Sequence, residues 1–368
     1  MARCKVCQKE SNLVSHHLGV CLDCIRQDFD KSLTFIQQAH NLTRQEFDLP
    51  LTPARSRRGL SCQLCVNVCQ ITEGEIGYCG LRKNLEGRLI GPDSEQANLS
   101  WYFDQLPTNC VADWVCPAST GCGFPEFSYT QGPEYGFKNL AVFFNGCSFN
   151  CLFCQNWHFR QNLSGETKVS AAELASCVDS RTACICYFGG DPSCQINYAI
   201  TASHIALKHK KDRILRICWE TNGSMNPGFL EQMVELSLQS GGCIKFDLKA
   251  FSSELNIALC GVSNQRTKDN FAKLAKKIDQ RTTPPFLIAS TLLVPGYVDE
   301  EEVERLANFI AKLNPDIPFS LLAFYPSFYL NDLPTTSRRH ALSCKKRAES
   351  AGLTNVHIGN AHLLSDIY

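Results

Sequence analysis

The sequence predicts an α/β chain in which a partial (β/α)6 barrel is preceded by small cysteine-rich metal-binding modules. Three observations carry this expectation. Six short apolar runs alternate with amphipathic helices from Phe137 onward, eight cysteines form two grouped sets before that point, and three more follow the first apolar run at close spacing. The 22 cysteines are the compositional outlier. Otherwise 368 residues, 44% of them hydrophobic, suffice for one sizeable core and one or two small modules.

The candidate strands are Asn139–Asn145, Ala183–Phe188, Ile214–Trp219, Cys243–Leu248, Phe286–Val294 and Ile317–Phe324. They are short, nearly continuous in apolar residues and rich in Val, Ile, Leu and Phe, as strands buried on both faces are. Helices with readable ends lie between them. Ser170 and Glu173 make a capping box before Ala171–Val178. Asn226-Pro227 suits an N-cap and first helical position, with Gly241 as the stop. Asp299 precedes a helix whose apolar face is Val303, Leu306, Ile310 and Leu313. Such alternation implies a parallel sheet with right-handed crossovers. About six units fit, fewer than a closed eight-stranded TIM barrel requires.

Three regions are expected: residues 1–48, a four-cysteine module and a helix; residues 49–136, a cysteine-rich accessory region; and residues 137–368, the partial barrel with a C-terminal extension. Thirty-six basic and 36 acidic residues cancel, so bulk charge gives no reason to expect nucleic acid or an anionic membrane as partner. Arg55, Arg57 and Arg58, and Lys208, Lys210 and Lys211, form two small basic groups that read as solvated faces. No apolar run approaches the roughly 18 residues of a membrane helix, and the start, Met1-Ala-Arg-Cys4, lacks a secretory signal's apolar stretch. A cytoplasmic, oxygen-poor setting is expected, where thiols stay reduced and grouped cysteines bind metal.

In Phe144-Asn-Gly-Cys147-Ser-Phe-Asn-Cys151-Leu-Phe-Cys154 the cysteines follow a Cys-x3-Cys-x2-Cys spacing. A tight loop of this kind can place three thiolates on three irons of a [4Fe–4S] cube and leave the fourth iron open to an outside ligand. Chance puts the spacing in a chain this rich in cysteine at roughly 0.08, so context must separate it from a zinc-binding loop. Downstream, Tyr187-Phe-Gly189-Gly190-Asp191-Pro192 ends the second candidate strand. Glu220-Thr221-Asn222-Gly223 follows the third, and Asp247-Leu248-Lys249 ends the fourth. Polar groups at the C-terminal strand ends of α/β barrels converge on the site.

On these residues the sequence resembles the radical S-adenosylmethionine superfamily, and within it the branch similar to pyruvate formate-lyase activating enzymes. The resemblance covers about residues 137 to 330 and continues more weakly to Val356-His-Ile-Gly-Asn360. It implies that Cys147, Cys151 and Cys154 hold a [4Fe–4S] cluster, with the aromatic Phe153 just before the third cysteine. It further implies that Gly189, Gly190 and Asp191, together with Glu220, Asn222, Asp247 and Lys249, bind S-adenosylmethionine. Asp191 departs from the family's glutamate and reaches one methylene less far. The implied activity is reductive cleavage of the cosubstrate to a 5′-deoxyadenosyl radical that abstracts hydrogen from a protein or peptide, an oxidoreductase-type post-translational modification. An electron donor such as ferredoxin or flavodoxin would serve it. Cys122, Tyr129, His158 and Tyr325 are candidates for a hydrogen relay.

The front end departs from simple activating enzymes. Cys4-x2-Cys7 and Cys21-x2-Cys24, 13 residues apart, suit tetrahedral zinc or a single iron; His16 and His17 between them read as surface residues. Cys62, Cys65, Cys69 and Cys79 form a second four-thiolate set, open to zinc or an iron–sulfur cluster, in a segment (Cys79-Gly-Leu-Arg-Lys-Asn-Leu-Glu-Gly) that resembles the N-terminal part of the same branch. Cys110, Cys116 and Cys122 make a looser third group. Later cysteines, from Cys177 to Cys344, read as small buried hydrophobes. Two other functions compete with the radical activase. One is cobalamin-dependent radical methyl transfer to a protein, for which the usual Asp-x-His-x-x-Gly motif is missing. The other is a zinc-ribbon binding protein without chemistry.

Overall fold

The computed structural model describes residues 1–163, 168–210 and 213–368, so Lys211 of the second basic group lies outside the described residues. Among the described residues the centre is a nine-stranded sheet. Its strands are β1 (Gln96–Gln105), β2 (Lys138–Phe144), β3 (Lys168–Ser170), β4 (Thr182–Gly189), β5 (Arg216–Thr221), β6 (Ile244–Asp247), β7 (Leu287–Leu293), β8 (Phe319–Ala323) and β9 (Val356–Gly359). The order across the sheet is β9-β8-β7-β6-β5-β4-β2-β1-β3. From β2 to β9 every neighbouring pair is parallel. β1 runs antiparallel to β2, and β3 antiparallel to β1.

All six expected strands are present, within two residues at each start. Two features correct the sequence reading. A seventh parallel strand, β9, follows the six units. β1 belongs to the same sheet, so the boundary drawn at residues 136–137 falls inside one continuous sheet. Helices cover the outer face, which explains the apolar runs. Leu140, Val142, Ile185, Tyr187, Ile217, Trp219, Ile244 and Phe246 are buried there. The alternate residues face the barrel's interior and line its cavities: Asn139 and Ala141, Cys184 and Cys186, Cys218 and Glu220, Lys245 and Asp247.

The helix ends follow the local chemistry. The Ser170 hydroxyl accepts from Glu173 N at 3.1 Å, and the Glu173 carboxylate accepts from Ser170 N at 3.5 Å, opening the helix Ala171–Ser176. Asn226 caps a short turn, Pro227–Phe229, that leads into Leu230–Ser240. Gly241 ends that helix at φ +78, where an added Cβ would strike Phe127. Asp299 accepts from Glu302 N at 2.9 Å at the start of Glu300–Leu313.

The N-terminal module is fastened to the barrel. Tyr297 Oη accepts from Ser15 N and donates to Val20 O, both at 3.0 Å. Arg26 makes two 2.7 Å bonds to the Asp299 carboxylate, and Ser15 Oγ donates to Asp332 at 2.9 Å. The helix α1 (Phe29–Gln45) then places His40 beneath the cysteine loop. His40 Nε2 donates to Ile257 O and Ala258 O, while its Nδ1 accepts from Asn150 Nδ2 at 3.0 Å. Burial lowers this imidazole to about 4, so it holds the loop as a neutral ring.

Residues 106–135, between β1 and β2, close the open side of the barrel. Trp114 stacks on His357 of β9 with ring centres 5.1 Å apart and donates to Ser320 Oγ of β8 at 2.9 Å. At the other end Glu134 pairs with Arg216 of β5, both side chains buried. The segment thus spans from the β1 side of the sheet to the β9 edge.

Candidate active site at the three-cysteine loop

The loop after β2 is held at both ends. Asn145 Nδ2 donates to Asn98 Oδ1 and Asn145 O accepts from Gln195 Nε2, each at 2.7 Å. Further on, the backbone N–H groups of Asn150 and Leu152 donate to Cys260 O and Leu259 O. These restraints turn Cys147, Cys151 and Cys154 into one cavity of about 190 Å³. The same cavity is lined by all eight residues expected to meet the cosubstrate: Phe153, Gly189, Gly190 and Asp191 on one side, and Glu220, Asn222, Asp247 and Lys249 on the other. Residues scattered over a hundred positions of sequence meet there because each stands at the C-terminal end of a parallel strand or in the loop after it.

The Gly189-Gly190 turn runs against the backbone of the cysteine loop. Gly190 N donates to Phe144 O at 2.7 Å, and Asp191 N to Gly146 O at 3.0 Å. A Cβ on Gly190 would lie 2.3 Å from Gly146 O, and one on Gly189 would lie 2.7 Å from Phe144 N. Only glycine fits. Asp191 is buried, and both its oxygens are engaged by protein donors: Ser193 N at 2.7 Å, Asn222 N at 2.6 Å and Thr221 Oγ1 at 3.1 Å. Burial raises this carboxyl to about 6 against the pull of those donors. Its geometry ties the β4 turn to the end of β5.

Opposite, Lys249 Nζ lies 2.7 Å from Asp247 Oδ2 and 5.8 Å from the centre of the Phe153 ring, while Ser290 Oγ donates to Asp247 Oδ1 at 2.7 Å. Burial works against the Lys249 charge, but the Asp247 carboxylate outweighs it and holds the ammonium above its ordinary range. Asn222 Nδ2 points to Cys147 Sγ at 3.8 Å. Burial pushes the Cys147 and Cys154 thiols up, and the Cys260 thiol with burial does the same to Cys151. Thiols this desolvated stay protonated unless a metal replaces the proton, which suits a ligand set.

Arg160, which no sequence pattern singled out, supports the same fit. It lines the cavity, packs on Phe159 and Phe328, and its Nη1 is buried with no hydrogen-bond partner. An unpartnered guanidinium nitrogen beside three thiols suits an anionic cluster or a carboxylate. None of Cys122, Tyr129, His158 and Tyr325 is among the described residues lining the cavity. Tyr129 stacks on Phe137 and donates to Ile214 O, and Cys122 donates to Val115 O.

Residues 141–310 match the family model of the Radical SAM superfamily. The chain carries a Radical SAM domain. Pyruvate formate-lyase 1-activating enzyme of Escherichia coli (strain K12) is 24% identical over 209 residues, covering 55% of this chain and 79% of that protein. An uncharacterized protein of Methanocaldococcus jannaschii is 24% identical over 310 residues, 81% of this chain and 80% of the other. Among solved structures, a radical SAM methyltransferase from Sphaerobacter thermophilus aligns at a TM-score of 0.44 and 15% identity, over 60% of this chain and 66% of that one. The Radical SAM domain implies S-adenosylmethionine and a [4Fe–4S] cluster, and the donor set above fits both.

Outside the Radical SAM domain, Cys4, Cys7, Cys21 and Cys24 bring their sulfurs within 4.8 Å of one another. The Cys4–Cys24 and Cys7–Cys21 separations are both 3.7 Å. A tetrahedron with bonds near 2.3 Å has edges of about 3.8 Å, so the four thiols stand at the spacing of a single metal ion. His16 turns away to Asp332 at 2.7 Å.

Cys62, Cys65, Cys69 and Cys79 gather more loosely, around the ribbon formed by Leu60–Ser61 and Gln70–Ile71. A fifth thiol, Cys194 from the turn after Asp191, faces Cys65 and Cys79; its proximity draws Cys79 down to about 6 and raises Cys194. The accessory region therefore meets the barrel next to the glycine turn. Sequence reading placed Cys194 among the inert cysteines because its partners are distant in the chain.

Proposed function

We propose that this chain is a radical enzyme that takes hydrogen from a protein or peptide, in the manner of an activating enzyme. The observation that carries the reading is the convergence of Cys147, Cys151 and Cys154 with a two-glycine turn and the unpartnered Arg160 Nη1 in one cavity. Cys147, Cys151 and Cys154 would hold a [4Fe–4S] cluster, which would supply the one-electron reduction that cleaves S-adenosylmethionine.

The chain's own groups position and shield that chemistry. Gly189 and Gly190 admit the cosubstrate's backbone-like end. Asp247 and Lys249 offer a fixed carboxylate and ammonium, and Arg160 supplies positive charge beside Cys154. Phe153, Phe159, Leu292 and Leu322 exclude water from the cavity, and Val111 of the closing segment borders it. The Escherichia coli relative is named for activating another enzyme, which supports a protein substrate here. A small iron–sulfur or flavin protein would deliver the electron.

The test is anaerobic reconstitution followed by reduction with dithionite in the presence of S-adenosylmethionine. Wild type is expected to form 5′-deoxyadenosine, and a Cys147/Cys151/Cys154→Ala triple variant none. An intact reduced cluster that forms no 5′-deoxyadenosine would overturn the reading.

A further inference from the structure

Below the cavity just described, the barrel interior holds a second chamber of about 110 Å³, far larger than the roughly 10–15 Å³ one water needs. Glu220 lines both spaces. Six cysteines face the chamber: Cys184, Cys186, Cys218 and Cys243 from the sheet side, and Cys110 and Cys116 from the closing segment. Several are occupied with near neighbours. Cys184 Sγ donates to Asn139 Oδ1 at 3.3 Å, Cys116 Sγ lies 3.9 Å from Ser119 Oγ, and Cys218 and Cys243 face each other at 3.9 Å.

Cys110 is placed differently. Its thiol donates to Glu220 Oε1 at 3.3 Å and accepts from Lys245 Nζ at 3.0 Å, while Lys245 lies 3.0 Å from the same Glu220 oxygen. The next residue, Val111, already lines the cosubstrate cavity. Cys110 itself is only partly covered. The closing segment thus carries a thiol to the border between the two spaces. Its partners fix its state. Glu220 and Lys245 compensate each other as an ion pair, and burial keeps Cys110 protonated against the pull of the Lys245 ammonium. A thiol so held is a poor nucleophile. It is a good source of hydrogen atoms, because an S–H bond is weaker than an unactivated C–H bond and far weaker than the O–H bond of water.

We propose that Cys110 is a hydrogen-atom donor to carbon radicals formed in the adjoining cavity. The proposal rests on the radical reading above and adds the fate of the radical. The S–H bond of Cys110 breaks and a C–H bond forms at the reacting carbon, which leaves a thiyl on Cys110. One electron from the small iron–sulfur or flavin donor reduces that thiyl to a thiolate beside the Lys245 ammonium. A solvent proton passed through Glu220 then restores the thiol. The carbon attacked therefore ends with a solvent-derived hydrogen.

The experiment needs no partner protein. Reconstituted, dithionite-reduced enzyme is given S-adenosylmethionine in deuterium oxide, where the thiol exchanges to S–D, and the 5′-deoxyadenosine formed is examined by mass spectrometry. Wild type is expected to place deuterium in the product, and so is Cys116→Ser, whose thiol does not contact Glu220 or Lys245. Cys110→Ser is expected to lose the label: serine keeps both hydrogen bonds, but its O–H bond is too strong to give up a hydrogen atom. Should that variant fail to fold, Cys110→Ala carries the comparison. Unlabelled product from wild type, or undiminished label in a folded Cys110 variant, would overturn the proposal. Infrared absorption of the resting protein gives a check without turnover. Cys110→Ser should remove one S–H stretching component at neutral pH, and an unchanged S–H spectrum would equally overturn it. If no 5′-deoxyadenosine forms at all, the radical reading itself fails and takes this proposal with it.

Discussion

Asn222 Nδ2 lies 3.8 Å from Cys147 Sγ and 2.8 Å from Ser148 Oγ, so the end of β5 offers an N–H donor to a sulfur of the three-cysteine loop. Donors to ligand sulfurs stabilise the more reduced cluster and raise its potential. Asn222→Ala is therefore expected to move the midpoint to more negative values. It should also slow 5′-deoxyadenosine formation about ten- to a hundredfold while iron content stays at the wild-type level. A redox titration followed by paramagnetic resonance checks it, and an unchanged midpoint speaks against the contact.

Glu134 and Arg216 form an ion pair with side-chain exposures of 0% and 2%. Glu134→Gln strands a buried guanidinium and is expected to cost about 3–5 kcal/mol, measured by denaturant unfolding. Burial acts to raise the Glu134 carboxyl, but Arg216 and the donors at Tyr129 and Ser128 prevail and hold it below its ordinary 4.5. A depressed folded value means that the stabilisation is complete above the unfolded value and is lost as pH falls through the folded one. Wild type should thus lose stability on acidification below about pH 4.5, and the variant should show less of that loss.

Gly190→Ala places a Cβ 2.3 Å from Gly146 O and 2.9 Å from Phe144 O. Both are backbone atoms, so the turn itself must move, at a cost of about 1–3 kcal/mol. The expected outcome is at least a tenfold loss of S-adenosylmethionine cleavage, with the far-ultraviolet circular dichroism of wild type retained. Full activity in this variant would show that the close approach is not needed.

Much of this was legible in the chain because strand faces and loop spacing are local signals. Ile185, Tyr187, Ile217 and Trp219 mark the helix-covered face, and the three cysteines after β2 and the glycine pair after β4 sit where a parallel sheet must converge. The interior face was hidden by its own composition. Cys184, Cys186, Cys218 and Cys243 count as apolar, so strands with a thiol-lined inner face looked nearly uniformly hydrophobic, with Arg216, Lys245 and Asp247 as the discordant charges. β1 escaped notice because its outward and inward residues are mixed with the polar loops around it. Arg160 and Cys194 owe their roles to tertiary neighbours that no spacing encodes.

The N-terminal module should behave as a single-metal clip. Cys4→Ser/Cys24→Ser is expected to remove one metal equivalent and leave the iron of the three-cysteine loop untouched. Because Tyr297 and Asp299 fasten the module to the barrel, melting temperature should fall as well. Metal analysis and thermal unfolding check both outcomes, and unchanged metal content would count against the tetrahedral site.

The proposed reaction requires that Cys147, Cys151 and Cys154 hold an iron–sulfur cluster able to take an outside ligand. Paramagnetic resonance of the reduced, oxygen-free protein, recorded before and after S-adenosylmethionine is added, tests this most directly. The predicted result is a cluster signal that changes on addition and is lost in the triple alanine variant. A signal indifferent to S-adenosylmethionine, or zinc bound to these three sulfurs, would contradict it.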